Sequence, residues 1–353
     1  MRLGWLGLFL GTVSAWSVHN GVIHDNAGKV FPMKGISWFG FETQDFVING
    51  LWQHPAEFYM DLMKQHGINT IRIPFSAEWI WYNYDLYPYD GLVNADPKSQ
   101  HKKSIDILDR IFDLAEERQM HIMLDLHRLH KEYISEVWYS PTDGAFTTDT
   151  YFDTWFRVLD RYHGRPALLA VDLLNEPHGS ATWGDTNPST DWNHFAEFAI
   201  EKIDARYPDS RWLYLVEGIG WGKDLSGARA FPIQTPERVH GRLVYSPHTY
   251  GKSVVSTTDV NNRYQLYHDW DSSFGFLKDM DLTYMVGEYG GITSLDSVWM
   301  NTLVDYLTTA GMRNAFFWSL GPNSGDVHGL LLDDWTTLDG FKMGIMDRLQ
   351  PSS

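Results

Sequence analysis

A repeat of type rather than of sequence constrains this chain most: short apolar, β-prone runs alternate with longer amphipathic stretches over nearly its whole length. The runs cover residues 33–38, 70–74, 121–126, 168–174, 212–216, 243–246, 284–287 and 314–318. The stretches 55–66, 104–118, 148–162, 192–207 and 298–310 lie between most of them and carry apolar residues three and four apart. Ile105, Leu108, Ile111, Phe112 and Ala115 show that spacing clearly and predict helices with one buried face. Strands that alternate with helices form parallel βαβ units with right-handed crossovers, and eight such units close on themselves. The chain is therefore expected to fold as a single (β/α)8 TIM barrel. An open doubly wound sheet would place a glycine-rich phosphate turn after its first strand, whereas Gly35-Ile36-Ser37-Trp38-Phe39-Gly40-Phe41 stands there. A length of 353 residues fits one barrel, and no linker or low-complexity tract divides it.

Charge and composition narrow the partners. A net charge of −17 argues against nucleic acid or an anionic membrane surface, since both select basic proteins. A neutral substrate suits that balance. With no cysteine, the chain has no disulfide framework, thiolate metal site or cysteine nucleophile. Aromatic residues make up 15% of the chain, with 16 Trp, 18 Tyr and 19 Phe; packing accounts for many, and flat faces that stack on sugar rings would account for others. At the N-terminus Arg2 precedes an apolar run, residues 3–10, and then Val13-Ser14-Ala15. The run is too short to span a bilayer and has the pattern of a secretory signal cleaved near Ala15. Residues 1–15 are thus expected to be removed and 16–353 to form the barrel of a secreted, extracellular protein without a membrane anchor.

A barrel of this type presents its chemistry at the C-terminal ends of its strands. Read in order, those ends are Trp38, Arg72, His127, Asn175-Glu176, Glu217, His248 with Tyr250, Glu288 and Trp318. Each has a bland explanation alone: Arg72 as a surface ion-pair partner, His248 as a core imidazole, Trp318 as packing. Together they form a rim. Glu176 and Glu288 each close an apolar run and are followed by a chain-turning segment, and two carboxyls facing across a cleft are what acid- and nucleophile-assisted glycoside cleavage requires. A nucleophile must stay ionised, so Glu288 needs Arg72 and Tyr250 beside it; an acid must stay protonated, and a neighbouring carboxylate favours that for Glu176. Asn175 would donate to the sugar 2-OH, and Trp318 would floor the subsite where the ring distorts. Asp125 and Asp172 share parity with this rim and are expected to serve it as buried hydrogen-bond partners, and Glu217 as a rim or structural carboxylate. The pair His127 and His130 straddles a strand end, a poor spacing for metal ligands; no metal or other cofactor is expected.

The motifs Asn69-Thr70-Ile71-Arg72-Ile73-Pro74, Leu124-Asp125-Leu126-His127-Arg128, Leu173-Leu174-Asn175-Glu176-Pro177, Tyr245-Ser246-Pro247-His248-Thr249-Tyr250, Gly287-Glu288-Tyr289-Gly290 and Phe317-Trp318-Ser319 resemble those of glycoside hydrolase family 5, near its bacterial endo-β-1,4-glucanases. The resemblance runs over nearly the whole mature length. It implies Glu176 as acid/base and Glu288 as nucleophile, supported by Arg72, His127, Asn175, His248 and Tyr250, with Trp38, Trp318 and Glu42 on the substrate. It further implies a retaining endo-β-1,4-glucanase that acts as a monomer on cellulose or a related β-linked polysaccharide. A β-mannanase or mixed-linkage β-glucanase on the same catalytic set is the alternative, and a non-catalytic carbohydrate-binding barrel a remoter one. Leu320-Gly321-Pro322 stands where close relatives carry Trp-Asn-Pro, which alters the outer subsites. The segment 130–149 is individual to this chain and lies where substrate-shaping loops belong.

Overall fold

The computed structural model describes residues 15–350, so the expected signal segment, up to Ser14, lies outside the described residues. A short antiparallel hairpin, β1 (Ser17–His19) with β2 (Val22–His24), precedes the barrel. The barrel strands are β3 (Lys34–Ser37), β4 (Thr70–Ser76), β5 (His121–Arg128), β6 (Leu168–Asp172), β7 (Leu213–Glu217), β8 (Leu243–Ser246), β9 (His248–Tyr250), β10 (Val286–Gly290) and β11 (Ala315–Phe317). They pair in parallel in the order β8-β7-β6-β5-β4-β3-β11-β10-β9. Only Pro247 separates β8 from β9. A proline offers no N–H to a ladder, so a single strand is interrupted there, and its two halves bond different neighbours. Met285 N–H donates to Tyr245 O at 2.9 Å and Gly287 N–H to Pro247 O at 3.0 Å, which closes the ring. The barrel thus has eight strand positions, as the alternation of runs predicts.

Among the described residues seven α-helices surround it: α1 (Ala56–Gln65), α2 (Ser104–Glu117), α3 (Thr148–Tyr162), α4 (Trp192–Arg206), α5 (Arg263–Ser273), α6 (Thr293–Ala310) and α7 (Gly340–Leu349). The first four match the amphipathic stretches within two residues at each end. Their starts follow local chemistry: Thr147 and Thr150 form a reciprocal capping box on α3, and Asp191 caps α4, in each case satisfying N–H groups that have no partner within the helix. Helix α6 begins five residues before its expected start because Asp296, inside the first turn, accepts from Ile292 N–H at 3.2 Å. Helix α5 had no periodic signal, since it buries only Leu266 and Trp270.

Alternation along the strands divides the core in two. Ile71, Ile73, Ile122, Leu124, Tyr214 and Val216 face outward into the helix layer. Met123, Leu213, Leu215, Val244 and Phe316 face inward and pack on Trp16, Val18 and Ile23 of the hairpin segment, which plugs the bottom. Burying each such side chain contributes about 1.5–3 kcal/mol. Among the described residues, no helix is long and apolar enough to cross a membrane.

Candidate active site

The inward positions change character toward the strands' C-terminal ends. On β5 they run Met123, Asp125, His127; on β7 Leu213, Leu215, Glu217; and along β8 and β9 Val244, Ser246, His248. All of these are buried. Each strand therefore lifts a polar group onto a floor of apolar ones. Above that floor opens a cleft of about 800 Å³ lined by Glu176, His248, Tyr250, Glu288, His127 and Trp318 among others. The rim read from the sequence converges on one place.

Arg72 is no surface residue; its side chain is fully buried. One guanidinium nitrogen bonds Glu288 Oε1. The other donates to Asn175 Oδ1 at 2.9 Å and lies 3.0 Å from Asp125, 3.3 Å from Glu217 and 3.4 Å from Asp172. Tyr250 Oη donates to Glu288 Oε2 at 2.5 Å. Burial alone would favour the protonated acid, yet His248, Arg72 and the Tyr250 hydroxyl hold the Glu288 carboxyl below its usual range. Asp125 accepts from His127 Nδ1 at 2.6 Å, which fixes the tautomer and leaves Nε2 to accept from the Asn175 amide at 3.4 Å. Burial holds the His127 imidazole well below its ordinary pKa, so it stays neutral.

Glu176 differs. Burial, with the charge of Glu288 added, pushes it up to about 7. Its Oε1 lies 3.0 Å from His248 Nδ1, which is 3.6 Å from Glu288 Oε2, and one oxygen from each carboxyl falls within 4.8 Å of the other. Burial opposes charge on His248, but Glu217, Glu288 and the bond to Glu176 hold its pKa well above the ordinary value. The backbone at Glu176 is left-handed, φ 51°, a conformation that costs a non-glycine residue about 1 kcal/mol or more. Its N–H donates to Glu217 Oε2 at 2.7 Å.

Trp318 lines the cleft, its ring near-parallel to those of Phe39 at 5.5 Å and His127 at 5.3 Å. Glu42 also lines it, accepting from Gly40 N–H at 2.7 Å and raised by burial to about 7. Trp38, expected on the substrate, is a correction. Its side chain is 1% exposed, donates to Asn49 O and packs against Tyr59 of α1. Alternation turns Trp38 outward and gives the cleft to Phe39. Sequence reasoning also missed Trp221, a cleft residue 54% exposed and stacked on His178 at 3.5 Å. Its flanking glycines, Gly220 and Gly222, were the available signal. Segment 130–149 contributes Ile134 to the wall, and His130 turns away to Ser140. Among the described residues, Glu176, His248 and Glu288 form one acid–imidazole cluster and Asp172, Glu217 and His248 another. Arg72 and the His248 ring already offset that negative charge.

The glycosyl hydrolase family 5 cellulase model matches residues 25–324. An endoglucanase of Paenibacillus polymyxa is 34% identical over 93% of this chain and 85% of its own length. The catalytic domain of the major endoglucanase from Xanthomonas campestris superimposes with a TM-score of 0.86 at 34% identity, covering 95% of this chain and 99% of that one. An endocellulase from Pyrococcus horikoshii, solved in complex with cellotetraose, superimposes with a TM-score of 0.87 at 29% identity over 96% of this chain and 99% of its own. With its barrel, its rim of carboxyls and this breadth of match, the chain belongs to glycosyl hydrolase family 5, the cellulase family.

Proposed function

We propose that this protein is a retaining endo-β-1,4-glucanase that hydrolyses internal β-1,4-glucosidic bonds by double displacement. One observation carries the reading: two facing carboxyls, with oxygens within 4.8 Å, are pushed in opposite protonation directions, Glu288 below its usual range and Glu176 up to about 7. Retaining enzymes hold their carboxyls ~5–5.5 Å apart, whereas inverting ones leave ~6.5–9.5 Å for a water. Glu288 attacks the anomeric carbon as Glu176 protonates the departing glycosidic oxygen, leaving a glycosyl ester on Glu288. Glu176, now ionised, takes a proton from water, and that water releases the sugar with its β-configuration restored. Arg72 and Tyr250 keep Glu288 charged. Asn175, its Oδ1 occupied by Arg72 and one amide N–H directed at His127 Nε2, has its second amide N–H left for the sugar 2-OH. Trp318 supports the ring at the reacting centre, with Glu42 on the substrate beyond it.

A glucan rather than a mannan is supported by the endoglucanase relatives and by the cellotetraose bound to the Pyrococcus protein. Reducing-sugar release from carboxymethyl cellulose, barley β-glucan and mannan, assayed side by side, tests it. The glucans should be cut and mannan much less; a clear preference for mannan would replace this reading with the β-mannanase one. The reaction needs no metal, so loss of activity in EDTA with recovery on zinc would overturn that part. The protein is further read as a secreted monomer, its leader cleaved near Ala15 and residues 16–353 forming the enzyme; N-terminal sequencing of the exported protein checks the cut.

A further inference from the structure

The inner end of β7 carries a carboxylate that no step of this reaction uses. Glu217 is fully buried and does not line the cleft, so it does not touch substrate. One of its oxygens nonetheless binds the acid/base, and the other faces the imidazole beside it. Oε2 accepts the backbone N–H of Glu176 at 2.7 Å. Oε1 stands 3.1 Å from His248 Nε2, off the direction of a linear hydrogen bond, and 3.3 Å from Arg72 Nη2. The opposite nitrogen of the same imidazole faces the Glu176 carboxyl at 3.0 Å. Glu176 is thus held twice by one group: at its backbone directly, and at its side chain through the His248 ring.

Two further features fit this role. The left-handed backbone at Glu176 persists only where the surroundings over-determine it, and the bond to Glu217 supplies such a restraint. Gly222 covers the pair so closely that a Cβ there would come within 2.6 Å of Glu217 Oε2 and 3.0 Å of His248 Cγ. The loop after β7 therefore leaves room for this contact and for no side chain. Glu217 is faced by Arg72, Asp172 and His248, and His248 by Glu176, Glu217 and Glu288.

We propose that Glu217 is the positioning residue of the acid/base: it fixes the turn that presents Glu176 and steadies the His248 ring against the Glu176 carboxyl. The inference rests on the reading of Glu176 as acid/base.

The test compares Glu217→Ala, Glu217→Gln and Glu176→Ala on two substrates, with melting temperatures recorded for each. One substrate is barley β-glucan, whose sugar leaving group needs a proton. The other is 2,4-dinitrophenyl β-cellobioside, followed in its first turnover, where the leaving group needs almost none. Glutamine offers one acceptor where glutamate offers two, so Glu217→Gln should lower kcat on the glucan about 10-fold and Glu217→Ala about 100-fold, with KM within about 2-fold. First-turnover dinitrophenol release should stay within about 3-fold of wild type in both. Equal loss on both substrates, or no loss from a folded Glu217→Ala, would overturn the proposal. If Glu217→Ala does not fold, Glu217→Gln decides, and wild-type behaviour on both substrates overturns it. Glu176→Ala separates the two ideas: if it too loses equally on both substrates, the acid/base reading fails, whereas a split there with none at position 217 sinks the positioning role alone.

Discussion

Tyr250 donates its phenolic hydrogen to Glu288 Oε2 at 2.5 Å, from the strand half that follows the Pro247 break. The bond stabilises the carboxylate over the acid, and so does the Arg72 contact on the other oxygen. Replacing Tyr250 with Phe removes a hydrogen bond to a charged group, worth ~1.5–3 kcal/mol. It should lower kcat/KM on a soluble cellulose derivative about 10- to 100-fold. With its donor gone, Glu288 becomes easier to protonate, so the acid limb of the kcat/KM profile should move to higher pH. An unmoved acid limb would mean that Tyr250 does not act through Glu288.

The wild-type profile has a second limb. Glu176 is raised by burial to about 7 and works as an acid only while protonated, so activity should fall as pH rises through about 7. Glu288 lies below the usual carboxylate range and must be ionised, so activity should be lost only in more acidic solution. Glu176→Gln cannot lose that proton, and its residual activity on an activated aryl cellobioside should show no alkaline limb near 7. An unchanged alkaline limb in this variant would assign it to another group.

Azide distinguishes the two carboxyls by stereochemistry. With Glu176→Ala and an activated aryl cellobioside, azide should attack the glycosyl ester on Glu288 and release a β-azide. With Glu288→Ala, azide takes the place of the nucleophile and should give an α-azide. An α-azide from Glu176→Ala, seen in the anomeric proton coupling of the product, would reverse the roles.

Trp221 lies in the cleft wall on the Glu176 side, half-exposed and stacked on His178. On that side a departing chain would meet its face. Trp221→Ala should raise KM for a β-glucan about 3- to 10-fold, matching the ~0.5–1.5 kcal/mol of a stacked pair. KM for an aryl cellobioside, which places no sugar there, should change little. Equal effects on both substrates would remove Trp221 from the leaving-group side.

Much of the site is legible before folding because strand ends carry it. Arg72, His127, Glu176, His248, Tyr250, Glu288 and Trp318 each lie within or just beyond an apolar run, and the barrel gathers them in and beneath one cleft. The failures have a common cause. Trp38 also ends a run, but one step of alternation separates the cleft from the helix layer, and a run of four to six apolar residues does not reveal its own parity when both faces are buried. Glu217 was seen as a strand-end carboxylate, while its contacts with Glu176 and His248, 41 and 31 residues away in number, exist only after the ring closes. Trp221 sits in a loop, where no periodicity reports direction.

The sequence by itself determined the alternation of strand and helix, the eight strand positions and the identity of the two carboxyls. These follow from local chemistry: apolar spacing and turn residues act over a few positions. Only the tertiary structure decided what each charge became. Glu176, just beyond β6, and Glu288, within β10, are the same amino acid, and nothing in their chemistry distinguishes an acid held near 7 from one held low. That difference arises from which groups the closed barrel packs against each carboxyl. Glu288 receives Arg72 from β4 and Tyr250 from β9, whereas Glu176 receives burial, His248 and the field of Glu288. Electrostatic environment depends on neighbours in space, and those are fixed only when distant strands meet.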